Sequence, residues 1–307
     1  MLHKQINTLL VWLVVLLLAA PGVRAANDQG EQLLESMQSA VYSLSYAGEL
    51  VFWKGNEMSE YHIEHEAGQG GSTESVIQLD TANGSAPEQT QQFSLLSSSS
   101  LQLPAQQVYS IDVGQDDVIA GLPCKVVVIR PKDKMRYLYR YCIHPDSGML
   151  LKYSVMNRQQ QLLEQFMFTR LSISPPASQG DMQVQPAAMN FAAAGQQGAQ
   201  GGKDTTVSNW DLSQLPAGFH VQQVRMIPGK DNAHQVILSD GLTYVSVFIE
   251  PDKGDNSGVG EMKRQAPASG ATNILTDKLA GHVITMVGEV PLETLRAIQK
   301  GLRYVTP

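Results

Sequence analysis

Two cysteines and a pair of histidines three residues apart are the side chains here whose types and spacing could carry redox or metal chemistry. Cys124 and Cys142 sit at the ends of "CKVVVIRPKDKMRYLYRYC". The absence of a C-x-x-C argues against a thioredoxin-like centre, and two cysteines without clustered histidines fall short of a zinc site. β-Branched and aromatic residues flank a polar centre at Pro131 to Lys134, the pattern of a hairpin. If Pro131 faces Met135 across the loop, Cys124 faces Cys142. Opposed Cβ atoms lie roughly 4.5 to 5.5 Å apart and a disulfide needs about 3.5 to 4.5 Å, so one of the two antiparallel pair types allows a bridge. A one-residue slip forbids it, and two unbridged buried cysteines are the other reading. His62 and His65, on an extended strand, point to opposite faces and cannot share an ion, so they read as surface histidines. "GVGEMK" lacks the third glycine of a dinucleotide loop, "GGKDTT" lacks phosphate-loop spacing, and no G-x-S-x-G or H-E-x-x-H occurs. Asn83 opens an N-x-S triplet, a short pattern that arises often by chance. The expectation is a non-enzyme with no catalytic, cofactor or metal site.

Whether the cysteines can bridge depends on compartment. His3 and Lys4 precede the apolar run "LLVWLVVLLLAA" and then "PGVRAA", the layout of a secretory signal peptide, with Val23 and Ala25 as the small residues before cleavage. Residues 1–25 are therefore assigned as a signal peptide cleaved after Ala25, and no lipobox cysteine follows. The apolar run is shorter than the roughly 20 residues needed to span a bilayer. Removing Lys4 and Arg24 moves the formal charge from −7 to −9, 20 basic against 29 acidic residues, which argues against nucleic acid as a partner.

Positioning elements follow from periodicity. Leu33, Leu34, Met37, Ala40, Val41 and Leu44 recur at helical spacing. A hairpin follows around "KGNEMS", then strands near "ESVIQLD", "QVYSID", "DVIAGLPCKVVVIRP", "MRYLYRYCIHP", "GMLLKYSVMNR" and "LLEQFMFTRLSI", the last four forming an antiparallel meander. "SLLSSSSLQLPAQ" reads as a polar loop. From Pro175 to Ser208 the chain is rich in Gly, Ala, Gln and Pro, the composition of a flexible linker. Beyond it, "GFHVQQVRMI", "AHQVILS", "LTYVSVFIE", "ATNILTDK" and "HVITMVGEV" read as strands, with "SDGL" turning the central hairpin and "PLETLRAIQKGLR" as a helix opened by Pro291 in its first turn. The organisation is α+β: a larger domain over residues 26–174, a linker over 175–208, and a smaller antiparallel sheet with one helix over 209–307.

The stretches "LLESMQSAVYSLSYAGELVFWKGNEMSEYHIEHE", "PKDKMRYLYRY", "DSGMLLKY", "LLEQFMFT", "SDGL" with "VSVF", and "GHVITMVGEVP" resemble the MucB/RseB family, over nearly the whole chain outside the leader and linker. The resemblance implies a periplasmic negative regulator of the sigma-E type envelope-stress response. Such a protein binds the periplasmic segment of the membrane anti-sigma factor, RseA or MucA, and shields it from proteolysis. It also implies an N-terminal domain similar to LolA and LolB, a curved half-barrel with plugging helices, lipid or lipopolysaccharide as a signal, and a homo-oligomer. One departure is "TANGSAPEQTQQFSLLSSSS", which carries no Arg or Lys where the family has a basic strand. The competing class is a LolA-type lipoprotein carrier, which needs only the first domain.

Within that frame the residues can be named. Acyl chains need only an apolar surface to bury, at roughly 25 cal/mol per Å². Leu50 and Phe52, or else Val51 and Trp53, face inward on the first strand, and Tyr137, Tyr139 and Tyr141, or else Leu138 with its arginines, on the later hairpin. Leu50, Phe52, Tyr139, Phe166 and Phe168 are taken as the lipid-cavity set. For the anti-sigma segment, an exposed apolar patch on the C-terminal sheet is expected at Tyr244, Val247 and Phe248, with the turn Gly270, Ala271, Thr272 and Asn273. For both sets the plain alternative is that they make the core.

Overall fold

The computed structural model describes residues 22–68, 71–79, 106–174, 206–207, 209–230, 232–252 and 264–305. Most of the expected leader and linker, Asn83, the polar loop and "GVGEMK" lie outside the described residues. Among the described residues the chain is mostly β, with two helices.

The first helix, α1 (Gly22–Ser43), begins ahead of the expected cleavage position. Leu33, Leu34, Met37 and Ala40 are buried on its inner stripe. It packs across strands of a single antiparallel sheet. That sheet contains β1 (Ser45–Lys54), β2 (Glu57–Gly68), β3 (Gly71–Gln78), β4 (Tyr109–Ile119), β5 (Leu122–Pro131), β6 (Leu138–Ile143), β7 (Leu150–Met156) and β8 (Leu162–Ser174), in the order β3-β2-β1-β8-β7-β6-β5-β4. The meander is thus wrapped so that its last strand pairs with the first, Leu50 opposite Phe168 and Phe52 opposite Phe166. Alternation along β1 buries Tyr46, Gly48 and Leu50 and leaves Trp53 exposed. The choice left open between the two parities therefore falls to Leu50 and Phe52.

Two sequence expectations are corrected. "DVIAGLPCKVVVIRP" is a hairpin rather than one strand, because Ala120 and Gly121 both take positive φ, 51° and 78°, the two-residue turn whose twist matches antiparallel strands. The β5–β6 register pairs Val126 with Cys142 and Ile129 with Tyr139, two residues away from the expected one. The loop is wider because Asp133 folds it, its Oδ1 accepting the Met135 N–H at 2.9 Å, while Lys132 N–H bonds Val108 O at 2.9 Å.

The C-terminal unit holds a six-stranded antiparallel sheet of β11 (His220–Met226), β12 (His234–Ser239), β13 (Tyr244–Pro251), β14 (Arg264–Ser269), β15 (Thr272–Leu279) and β16 (His282–Gly288), in the order β11-β12-β13-β16-β15-β14. Helix α2 (Leu292–Gly301) packs on β15 and β16, with Pro291 capping it rather than occupying its first turn. A small ladder of β9 (Thr206–Val207), β10 (Trp210–Asp211) and β17 (Arg303–Tyr304) ties both ends of the unit together, so the last residues of the expected linker are structured. Its core gathers Trp210, Val236, Leu238, Val245, Val247, Ile249, Leu275, Ile284, Met286, Leu295 and Ile298.

Candidate functional site

Three features stand out: an aromatic inner face on the larger sheet, an interdomain contact, and an open face on the smaller sheet. Strand alternation builds the first. Tyr139 and Tyr141 of β6, Tyr153 of β7, and Phe166 and Phe168 of β8 project to one side, with neighbouring ring centroids 5.3 to 6.5 Å apart. Leu50, Tyr139, Phe166 and Phe168 are buried in the same core and Phe52 packs against it, so the five residues expected to line a lipid cavity come together on one face as part of the packed core. Burial raises the phenol pKa of Tyr139, Tyr141 and Tyr153, so all three phenols are neutral within this face.

The contact between the domains is centred on Arg136. Arg136, with no side-chain exposure, donates from Nε to Asp240 Oδ2 at 2.6 Å, also pairs with Asp133, and donates from a second guanidinium nitrogen to Ala217 O at 2.5 Å. It lies over the rings of Tyr109 and Phe219, at 5.5 and 5.0 Å. The Tyr109 hydroxyl donates to Asp240 Oδ2 at 2.8 Å, and burial followed by the Asp240 charge holds that phenol well above its usual range. Asp240 Oδ1 accepts the backbone N–H groups of Leu242 and Thr243. "SDGL" therefore both turns its hairpin and supplies the acid to which the other domain docks. Further along, Asn273 donates to the Tyr137 hydroxyl at 3.0 Å, Ala271 N–H to Glu164 Oε1 at 2.9 Å, and Thr294 Oγ1 to Met135 O at 2.5 Å. Leu242 and Ala271 are counted in the core of the larger domain.

These contacts redistribute the residues expected to meet the anti-sigma segment. Val247 is sealed in the core of the smaller domain, Ala271 is fully buried and Asn273 nearly so, and Gly270 lies against Glu164 and Lys54. They are not an exposed patch, because β13 and β15 alternate and their odd-numbered residues face α2 or the other domain. Tyr244, Phe248 and Thr272 fall on the opposite face. There they share the sheet surface with half-buried Ile237, Ile274 and Val287, none of which joins either apolar core. Phe248 pairs across strands with Gln235 and Thr285, and Val287 with Ile274 and Ser246. Periodicity showed which strand residues alternate but not which face the helix covers.

Behind the tyrosines, Cys124 and Cys142 are bonded as a disulfide with Cα atoms 5.3 Å apart, both sulfurs buried on the opposite side of the sheet. A two-residue register change preserves the face of every side chain, and so the diagonal pair meets where a one-residue slip would not. His65 corrects the expectation of a surface histidine. It is buried, stacked on Tyr46 at 4.9 Å, with Nδ1 2.8 Å from Leu44 O, where it closes the end of α1 onto β2. His62 is half-exposed and pairs with Glu64 at 3.2 Å, so the two imidazoles do point apart. Among the described residues no cluster of His, Cys, Asp or Glu could hold a metal ion.

Comparison with known proteins matches both domains. The family model for the MucB/RseB N-terminal domain matches residues 29–107 and 87–188, and that for the MucB/RseB C-terminal domain matches residues 204–303. The chain is 28% identical over 321 residues to the sigma factor AlgU regulatory protein MucB of Pseudomonas aeruginosa, covering 97% of each. It is 25% identical to the sigma-E factor regulatory protein RseB of Haemophilus influenzae over 63% of this chain and 59% of that one. Among solved structures, MucB in complex with MucA(peri) superposes with a TM-score of 0.65 at 26% identity, covering 91% of this chain and all of that one. With models of both its domains matched over most of its length, this chain belongs to the MucB/RseB family.

Proposed function

We propose that this protein is exported to the periplasm after cleavage at Ala25 and there binds the periplasmic segment of a membrane anti-sigma factor of the MucA/RseA type, holding it from proteolysis until envelope damage is sensed. The observation that carries this reading is the match of both domains to a relative solved together with MucA(peri). The open face of the smaller sheet, with Tyr244, Phe248 and Thr272 among half-buried apolar neighbours, has the character of a surface that captures an extended peptide. The inner face carrying Leu50, Phe52, Tyr139, Phe166 and Phe168 is the place for an acyl chain of lipopolysaccharide or a lipoprotein, since such a chain needs apolar area with few directed polar contacts.

Calorimetry of the mature protein with the anti-sigma periplasmic segment, with and without lipopolysaccharide, tests the proposal. Binding that lipid weakens is expected. F248A should weaken peptide binding about tenfold or more while leaving the fold intact, as for a central aromatic contact. Failure to bind the segment, with acyl-chain binding retained, would instead favour a lipoprotein carrier.

A further inference from the structure

The eight- and six-stranded sheets end in four edge strands, and an edge offers backbone N–H and C=O groups to any further strand that fits. Three of these edges carry features that keep other strands away. β4 exposes Asp112, Asp116 and Asp117 and breaks register between Val113 and Asp116. β14 holds Pro267 and breaks register between Ala266 and Ser269. β3 runs through Gly71, Ser72, Thr73 and Glu74. β11 differs. Its break lies early, between Val221 and Gln223, and the run 223–226 beyond it is regular against β12, contains neither proline nor acid, and exposes Val224 (37%) and Met226 (64%). Val224 lies opposite the core residue Val236, on the side of the sheet that carries α2. That helix packs on β15 and β16, several strands away, so the apolar row runs out past its cover at β11. Gln223 and Arg225 take the other side, where Arg225 Nε donates to Gln235 at 2.6 Å. The larger domain reaches only the approach to the strand, where Arg136 bonds Ala217 and lies over Phe219, ahead of this run.

We propose that β11 is an interface between two copies of this protein, which pair antiparallel about a twofold axis at Val224 and join their smaller sheets into one. In this register the edge is complementary to itself. A twofold perpendicular to the sheet keeps each face on its own side, so Val224 meets Val224 of the second copy with Met226 diagonally beside it. On the open side Arg225 faces Gln223 of the second copy, a cation beside an amide oxygen, and no like charges meet. The neighbouring registers are worse: a centre at Arg225 sets two guanidinium groups opposite each other, and a centre at Gln223 sets Val224 against Gln222, the residue at the register break. The pairing needs neither anti-sigma segment nor lipid, and it leaves the open face proposed for the peptide uncovered. The regular run is short, so the dimer is weak, with a dissociation constant on the order of 10 µM.

Sedimentation velocity of the mature protein alone, from about 1 to about 200 µM, should show monomer passing into dimer. V224K sets two ammonium groups across the axis at an exposed position and should raise the dissociation constant about tenfold or more, with an unchanged far-ultraviolet dichroism spectrum. Register is read with single thiols, since Cys124 and Cys142 are bonded to each other and leave none of their own. V224C should cross-link to its copy under mild oxidation, whereas V118C, more exposed but on β4, should do so far more slowly. A wild type that stays monomeric throughout, a dimer that V224K leaves intact, or V118C cross-linking as fast as V224C would overturn the proposal. With no other protein present, each result leaves anti-sigma binding separately testable.

Discussion

A buried arginine is tolerated only when its donors and charge are matched, and Arg136 meets that condition by drawing on both domains. Removing it strands Asp240, whose carboxylate has no side-chain exposure. R136A should therefore cost about 3 to 5 kcal/mol, read as a lowered urea midpoint, whereas replacing Arg136 and Asp240 together by apolar residues should cost much less. The buried phenols make a second prediction. Tyr109, Tyr139 and Tyr153 have folded-state pKa values raised by burial, so the folded state holds those protons more tightly than the unfolded chain. The stability they contribute is complete below the unfolded tyrosine pKa of about 10 and is lost as pH climbs above it. The urea midpoint should accordingly fall sharply between about pH 9 and pH 11. None of these roles was legible from residue type. Arg136 reads as one charge at the start of a strand, and only a partner 104 positions away makes it a docking group.

Among the elements, those with strong periodicity were read correctly, and the errors sit at turns and at strands that were not read at all, β14 and the short β9, β10 and β17. Helix α1 announced itself through Leu33, Leu34 and Met37, and α2 through Leu295 and Ile298. The Ala120–Gly121 turn was missed because Ala is a rare occupant of positive φ, so the sequence carries no Asn-Gly or Asp-Gly marker there. The β5–β6 register was misplaced by two residues because the loop is shaped by the Asp133 side chain, which hairpin counting ignores. The disulfide survives that error since parity is kept. It joins residues 18 apart on adjacent strands, so reduction, or the double variant C124S/C142S, should lower stability by about 3 kcal/mol, measured as the shift of the urea transition with reductant. At the centre of the aromatic face, F166A should cost about 3 to 5 kcal/mol through the cavity it leaves, seen in the same assay.

In the whole molecule, the turn at Gly270 joins the domains under tight steric terms. Gly270 has φ of 61°, and a Cβ there would run into the Glu164 carboxylate and the Lys54 stem. G270V should therefore part the domains without unfolding either, seen as an increased radius of gyration in solution scattering with an unchanged far-ultraviolet dichroism spectrum. By itself the sequence determined what depends on local order: the helices, most strands, the separation into two units, and an inner apolar face on β1 and β8. It also carried enough motif to indicate the family. Tertiary structure alone decided which face of the smaller sheet α2 covers, that Val247, Ala271 and Asn273 are buried while Tyr244 and Phe248 share the other face, and that Asp240 meets Arg136. Periodicity states that a strand has two faces; which one is buried depends on residues far away in the chain, and no local pattern records them.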